Sequence, residues 1–144
     1  MLIYLDNCCF NRPFDDPWSM RVRLEAEAKL HIQELLRRGT VAFAWSFMLD
    51  FENRANPFRE RRETITGWKA AAALNIGWSE PVEEKAHAFA GRGLGAADAI
   101  HVACAVEAGC SHFLTTDRGL LGKRPPFSET TILDPVQFVK EIDL

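Results

Sequence analysis

Residues 2–7 read Leu-Ile-Tyr-Leu-Asp-Asn, and this stretch decides the fold that we expect for the chain. Four apolar residues followed by two polar ones are typical of a short buried strand that ends at a polar site. A second apolar run, Val41–Trp45, predicts another buried strand. Ser46 can then cap a helix that runs to about Asn53 and ends before Pro57.

Helices and strands alternate along the rest of the chain. Apolar residues recur at helical spacing from Met20 to Arg38, and Gly39 follows as a stop signal. The apolar positions of that helix are Leu24, Ala28, Ile32 and Leu35. The other predicted elements are a loop at 11–19, helices at 59–73, 81–90, 96–108 and from Pro135 onward, and strands at 75–78, 113–115 and 132–133. Such alternation predicts a parallel sheet covered by helices on both faces, in a single α/β domain over residues 1–144.

The composition fits one domain with a single core, because the chain has 144 residues and 47% of them are hydrophobic. No run approaches the roughly 18 apolar residues of a membrane helix, and the first residues lack the features of a signal peptide, so we expect a cytoplasmic protein. The four cysteines match neither a zinc site nor a C-x-x-C pair, and we expect reduced thiols. The formal net charge is −3, whereas many nucleic-acid binders are basic, but basic residues gather locally at 54–69 and 118–124.

Acidic residues occupy the places where a parallel sheet puts its ligand site, beyond the carboxyl ends of the strands. Asp6 and Asp117 follow strands, Glu52 lies on the helix after Ser46, and Asp98 lies in the first turn of the helix at 96–108. Converging carboxylates repel one another unless a cation lies between them, and oxygen ligands favour Mg²⁺ or Mn²⁺ over zinc. Each acid also has an ordinary explanation, because aspartate is common in turns and in the first turns of helices.

The motifs around these acids resemble those of the PIN-domain nucleases, over nearly the whole chain. That family begins with an apolar strand that ends in Asp followed by Thr or Asn, and its second acid lies about six residues after a Ser at a strand end. The corresponding stretches here are Leu2–Asn7, Ser46 to Glu52, Leu94-Gly-Ala-Ala-Asp98-Ala-Ile-His101-Val-Ala103 and Thr115-Thr116-Asp117. The resemblance implies a three-layer α/β/α fold with a central parallel sheet, divalent-metal binding and cleavage of single-stranded RNA. Many small bacterial members are toxins of toxin–antitoxin pairs, like the VapC type.

On this reading the four acids form a catalytic site that binds Mg²⁺ or Mn²⁺. We expect Asp6, Asp98 and Asp117 to bind the metal ion, Asp117 directly or through water. Glu52 either joins these ligands or takes the proton of the attacking water. Asn7 and Thr115 are expected to orient the carboxylates.

Two positions near the acids leave alternatives open. Asp50 competes with Glu52 for the role of second acid, but residues two apart point to different faces of a helix, so only one of them is expected to face the site. His101 lies one turn after Asp98. It is expected as a packed helix residue, with a place in the site as the alternative.

The expected partners are single-stranded RNA, a second copy of the chain in a homodimer, and an antitoxin protein. The apolar residues Phe10, Phe14 and Trp18, in the predicted loop beside the site, suggest a surface for such a partner. The alternative function is a catalytically silent PIN-like module that binds RNA or protein. A phosphatase with Asp6 as its nucleophile is disfavoured, because Cys8 stands where that class has a second aspartate.

Overall fold

The computed structural model describes residues 1–11, 18–123 and 128–142, and strands alternate with helices as predicted. The strands are β1 (Leu2–Leu5), β2 (Ala42–Ser46), β3 (Leu74–Ile76), β4 (His112–Leu114) and β5 (Thr131–Leu133). The helices are α1 (Asn7–Asn11), α2 (Met20–Arg37), α3 (Phe47–Arg54), α4 (Arg59–Lys69), α5 (Glu80–Gly91), α6 (Ala96–Glu107), α7 (Arg118–Gly122) and α8 (Pro135–Ile142).

The strands of the described residues form one five-stranded parallel sheet in the order β3-β2-β1-β4-β5. In the central strand β1, Ile3 lies opposite Phe43 of β2 and His112 of β4. Ile3, Tyr4 and Leu5 are fully buried. Because successive side chains of a strand point to opposite faces, helices must cover both faces of the sheet. The expected α/β fold with a central parallel sheet is confirmed, and the carboxyl ends of its strands share one edge.

Serine residues set the points at which three of the helices begin. Ser19, Ser46 and Ser79 have extended backbones, and each side-chain oxygen accepts a hydrogen bond from the backbone N–H three residues later. For Ser46 this confirms the predicted cap. The helices then pack in pairs, α2 with α8, α3 with α4, and α5 with α6.

Several element boundaries differ from the predictions. The loop expected to begin at Asn11 is preceded by the short helix α1, and residues 12–17 of that loop lie outside the described residues. The helix α4 ends at Lys69 rather than at residue 73, and β4 begins and ends one residue earlier than predicted. A further helix, α7, follows Asp117. Helices of five residues such as α1 and α7 are too short to show a helical period, which is why the pattern did not reveal them.

The buried face of α2 is not the one that its apolar residues indicate. Ala28 and Ile32 are buried, but Leu24 is half exposed, while Glu25 and Lys29 are buried. The prediction for Leu24 is therefore wrong, because tertiary packing places the neighbouring charged residue in the core instead.

Lys29 is the unusual member of that face, since its side chain is 0% exposed. Its ammonium group lies 4.2 Å from the centroid of the Phe10 ring and makes no hydrogen bond within the described ranges. Burial lowers the pKa of Lys29 to about 8, although the negative charges of the Cys9 and Cys8 thiolates would raise it. A lysine with this pKa opposes folding at neutral pH.

The remaining expectations about the chain concern its thiols and the membrane. All four cysteines are free, and Cys9, Cys104 and Cys110 are buried. None of the helices in the described ranges is long and apolar enough to cross a membrane.

Replacing Lys29 by methionine should stabilise the fold, because it keeps the aliphatic stem and removes a buried charge. The folded-state pKa lies below the ordinary value of 10.5, so the protonation of this lysine favours the unfolded chain. That penalty is on the order of 3 kcal/mol below pH 8 and disappears as the pH rises to 10.5. We expect Lys29→Met to unfold in urea at a free energy higher by about that amount at pH 7, with the difference shrinking between pH 8 and 10.5.

The control for this experiment is Lys85→Met, which removes a lysine paired with Glu107 at the surface. Its effect should stay under about 1 kcal/mol throughout. If the difference in unfolding free energy between Lys29→Met and wild type does not change with pH, folding does not lower the pKa of Lys29.

Candidate metal centre

The four acids singled out in the sequence lie around the carboxyl edge of the sheet. Asp6 directly follows β1, Glu52 lies in the second turn of α3, Asp98 lies in the first turn of α6, and Asp117 immediately precedes α7. Ligand atoms of Asp6, Glu52 and His101 all lie within 4.8 Å of one another. Burial raises the pKa of Asp98, and the charges of Asp6, Asp117 and Glu52 raise it further. The fold therefore places all four carboxylates in one electrostatic neighbourhood.

Asp6 is 7% exposed, and both of its carboxylate oxygens accept hydrogen bonds. The backbone N–H of Asn7 donates to Oδ1 at 2.8 Å, and the hydroxyl of Thr115 donates to Oδ2 at 2.9 Å. The thiol of Cys8 lies 3.5 Å from Oδ2 as a weaker donor. The expected contact from Asn7 is thus made by its backbone, while Thr115 reaches Asp6 with its side chain across the β1–β4 pair.

Glu52 and Asp50 point to different sides of α3, as their spacing predicts. Asp50 accepts hydrogen bonds from the Trp45 indole N–H at 3.0 Å and from the Lys69 ammonium at 3.0 Å. Glu52 instead contacts His101 beside Asp6. Of the two candidates for the second acid, Glu52 is therefore the one that lies in the cluster.

Asp117 lies near the cluster and also caps a helix. Its side chain caps α7 by accepting hydrogen bonds from the N–H groups of Gly119 at 2.8 Å and Leu120 at 3.4 Å. Its own N–H donates to the Thr115 hydroxyl at 3.1 Å. Because its side chain is exposed and already committed to the helix, Asp117 is the acid least enclosed by the site.

His101 is buried and also belongs to the cluster, so it is both a packed helix residue and a member of the site. Its Nε2 contacts Oε1 of Glu52 and lies 3.8 Å from Oδ1 of Asp6. Its Nδ1 lies 2.6 Å from the hydroxyl of Tyr4, which lies 2.7 Å from the Ser46 hydroxyl. Burial would lower the pKa of His101, but the hydrogen bond with Glu52 and the charges of Asp6 and Glu52 outweigh it, so the pKa is raised.

Tyr4 was not singled out in the sequence, and for His101 a place in the site was only the alternative. Two signals could have found them. Tyr4 lies two residues before Asp6, and residues two apart in a strand share a face. His101 lies three residues after Asp98, and residues at that spacing share a helix surface. The sequence could not predict that the side chains of these two residues, 97 positions apart, contact each other.

The donor set fits a divalent cation. Two carboxylates and an imidazole can ligate one ion, and the charges of Asp6 and Glu52 also act on Asp98. Carboxylate oxygens suit Mg²⁺ and Mn²⁺, and an imidazole nitrogen shifts the preference toward Mn²⁺. Burial and then the charges of the neighbouring carboxylates raise the pKa of Asp98, and a bound cation would offset the repulsion among these acids.

The fold of the described residues has a counterpart among solved structures. A solved structure with the same fold is that of VapBC2 from Rickettsia felis bound to a DNA fragment from their promoter. The TM-score is 0.60 at 14% sequence identity, and the match covers 93% of this chain and 98% of that chain. No family model and no curated protein sequence matches the chain. The likeness shows that the chain has the PIN-like fold, as the sequence resemblance implied.

The geometry predicts how substitutions change metal affinity. Asp6→Asn should weaken Mn²⁺ binding by more than about tenfold, because a hard cation loses an anionic oxygen ligand. Asp50→Asn is the matched control, since Asp50 bonds to Trp45 and Lys69 on the other side of α3. Titration calorimetry with Mn²⁺ measures both constants, and equal affinities for the two variants would exclude Asp6 as a ligand.

Proposed function

We propose that this protein is a divalent-metal-dependent endoribonuclease that cleaves single-stranded RNA. The observation that carries the proposal is that ligand atoms of Asp6, Glu52 and His101 lie within 4.8 Å of one another at the carboxyl edge of a PIN-like sheet, where their charges also reach Asp98. Acids in ordinary turns and caps would lie apart and face solvent. Here Asp6 is buried and Glu52 is partly buried, and burial together with the neighbouring carboxylates raises the pKa of Asp98, an effect that a bound cation would offset.

The chain's own residues divide the work of hydrolysis. A bound ion would neutralise the phosphate and lower the pKa of the attacking water. Asp6 and Asp98 would hold that ion, and hydrogen bonds from Thr115 and from the Asn7 N–H fix the Asp6 carboxylate in one orientation. Glu52 would accept the proton of the attacking water, and the contact of His101 Nε2 with Oε1 would hold its carboxylate in place.

We extend the proposal to a toxin role with an antitoxin partner and a homodimer. The support is the shared fold with VapBC2, together with exposed apolar surface. Trp18 is 91% exposed beside α2, whereas Phe10 is buried against Lys29 and Trp45, so Phe10 is not part of a docking surface. Phe14 lies outside the described residues. A second apolar surface is a groove of about 280 Å³ beside α5 and α6, next to the exposed Trp78.

The cleavage prediction follows from the proposed roles. Purified protein should cut a labelled single-stranded RNA in Mg²⁺ or Mn²⁺ and stop in EDTA. Asp6→Asn and Asp98→Asn should lower the rate by about a thousandfold or more, because both the activation of water and the stabilisation of the leaving oxygen are lost. Asp50→Asn should cut at nearly the wild-type rate.

Thermal melts must accompany these assays, and Asp6→Asn should melt close to wild type, because it removes a like charge and keeps a side chain that can hydrogen-bond. Activity that persists in EDTA would show that the acidic cluster is not the catalyst. RNA binding by the wild type without turnover would favour the alternative, a silent PIN-like binding module.

The assembly prediction concerns the groove beside α5 and α6. We expect light scattering to give the mass of a dimer, and Trp78→Glu to give the mass of a monomer, because a charge at an apolar interface is costly to bury. Phe51→Glu is the control, since Phe51 is similarly exposed but does not line this groove. A monomeric wild type would remove the homodimer from the proposal and leave the nuclease site unaffected.

A further inference from the structure

A cleft of about 320 Å³ opens beside the acidic cluster and has an exposed aromatic ring in its wall. Its lining residues are Asn7, Glu52, Ala55, Asn56, Pro57, Phe58 and Arg61. Asn7 directly follows Asp6, and Glu52 contacts His101, so one end of the cleft belongs to the candidate catalytic site. Phe58 and Arg61 also line a second cleft of about 410 Å³. The Phe58 side chain therefore stands between two open spaces.

Neither core packing nor helix capping explains the place of Phe58. Its side chain is 56% exposed, and it does not belong to the buried core cluster or the residues packed on it. It occupies the N-cap of α4, where a polar side chain would bond the helix N–H groups and a phenylalanine makes no such bond. A residue that breaks a local rule without packing gain is a candidate for function.

Hydrogen bonds fix the backbone that carries this ring. The N–H of Phe58 donates to the Asn56 side-chain oxygen at 3.1 Å, and the Phe58 carbonyl accepts from the Arg62 N–H at 2.9 Å. The Arg62 guanidinium donates to the Asn56 carbonyl at 2.9 Å, and the Asn53 amide donates to the Arg62 carbonyl at 3.0 Å. The turn before α4 is thus fixed to α3 and α4, so a ligand would find the ring already positioned.

Arg61 adds charge at the same place. Its guanidinium carbon lies over one face of the Phe58 ring, 4.5 Å from the centroid, and Phe58 is still 56% exposed. Arg54, Arg59 and Lys69 belong to the same two helices, α3 and α4. An aromatic face beside a guanidinium and amide groups suits a nucleobase with its phosphate, and lacks the continuous apolar lining that a protein helix would require.

We propose that Phe58 and Arg61 form a subsite that stacks one nucleobase of single-stranded RNA next to the scissile phosphate. The Phe58 ring binds the base face, and Arg61 pairs with the neighbouring phosphate. This inference rests on the proposed function, because it gives the substrate of that function a place to bind. It predicts that Phe58 contributes to substrate affinity and to the position of the cut, with no part in the chemical step.

The test uses full-length protein with Asp6→Asn, so that RNA stays intact, and RNA oligonucleotides that carry the fluorescent base 2-aminopurine at successive positions. Stacking quenches this fluorescence. In the Asp6→Asn parent, we expect quenching at one position of the RNA. Phe58→Ala should abolish this quenching and lower the affinity for RNA by roughly 5- to 150-fold, which is the range for one stacked base. Phe58→Trp should restore both signals, and Phe51→Ala, an exposed phenylalanine outside the cleft, should leave them unchanged.

The outcomes separate this subsite from the proposed function. RNA binding with the same quenching in Phe58→Ala would overturn the subsite and leave the nuclease proposal standing. An absence of RNA binding by the parent protein would overturn both. Equal quenching with single-stranded DNA of the same sequence would support stacking, since the base faces are shared, and would remove the preference for RNA. In the cleaving protein, Phe58→Ala should raise KM and leave kcat near the wild-type value.

Discussion

The carboxylate of Asp6 is held at the end of the buried central strand, next to Glu52 and His101. Two hydrogen bonds keep it there, from the Asn7 N–H and from Thr115 on the adjacent strand. The bond from Thr115, the residue that follows β4, depends on the parallel pairing of β1 with β4, in which Leu5 lies opposite Leu114. The site therefore exists only when the sheet is complete, and its acids come from segments that are far apart in the sequence.

A buried chain of polar side chains links this edge to the core. Tyr4 lies in the central strand, stacks on Phe113 and hydrogen-bonds with both Ser46 and His101. Ser46 caps α3, the helix that carries Glu52. The Tyr4 hydroxyl thus connects Ser46, which caps the helix, with the His101 imidazole beside the acids, and the Tyr4 ring anchors both in the core of the sheet. Glu52 meets Asp6 because the same contacts that begin α3 also place His101.

The sequence predicts most of this fold because the signals involved are local. A buried strand that ends in Asp6 and a serine that begins a helix at Ser46 can be recognised from a few neighbouring residues. The exposure of Leu24 and the burial of Lys29 could not be predicted, because they depend on which side of α2 meets the core. The spacing of His101 from Asp98 places both on one surface of α6, but the contact of His101 with Glu52, 49 positions away, could not be predicted.

The central claim is that these carboxylates share one divalent cation, and a crystal soaked in Mn²⁺ tests it most directly. Anomalous scattering locates manganese independently of any assumption about its ligands. We expect a peak at the carboxyl edge of β1, with oxygens of Asp6 and Asp98 about 2 Å away and Glu52 or His101 completing the shell. No peak at saturating Mn²⁺, or a peak that lies away from Asp6, would contradict the account of this site.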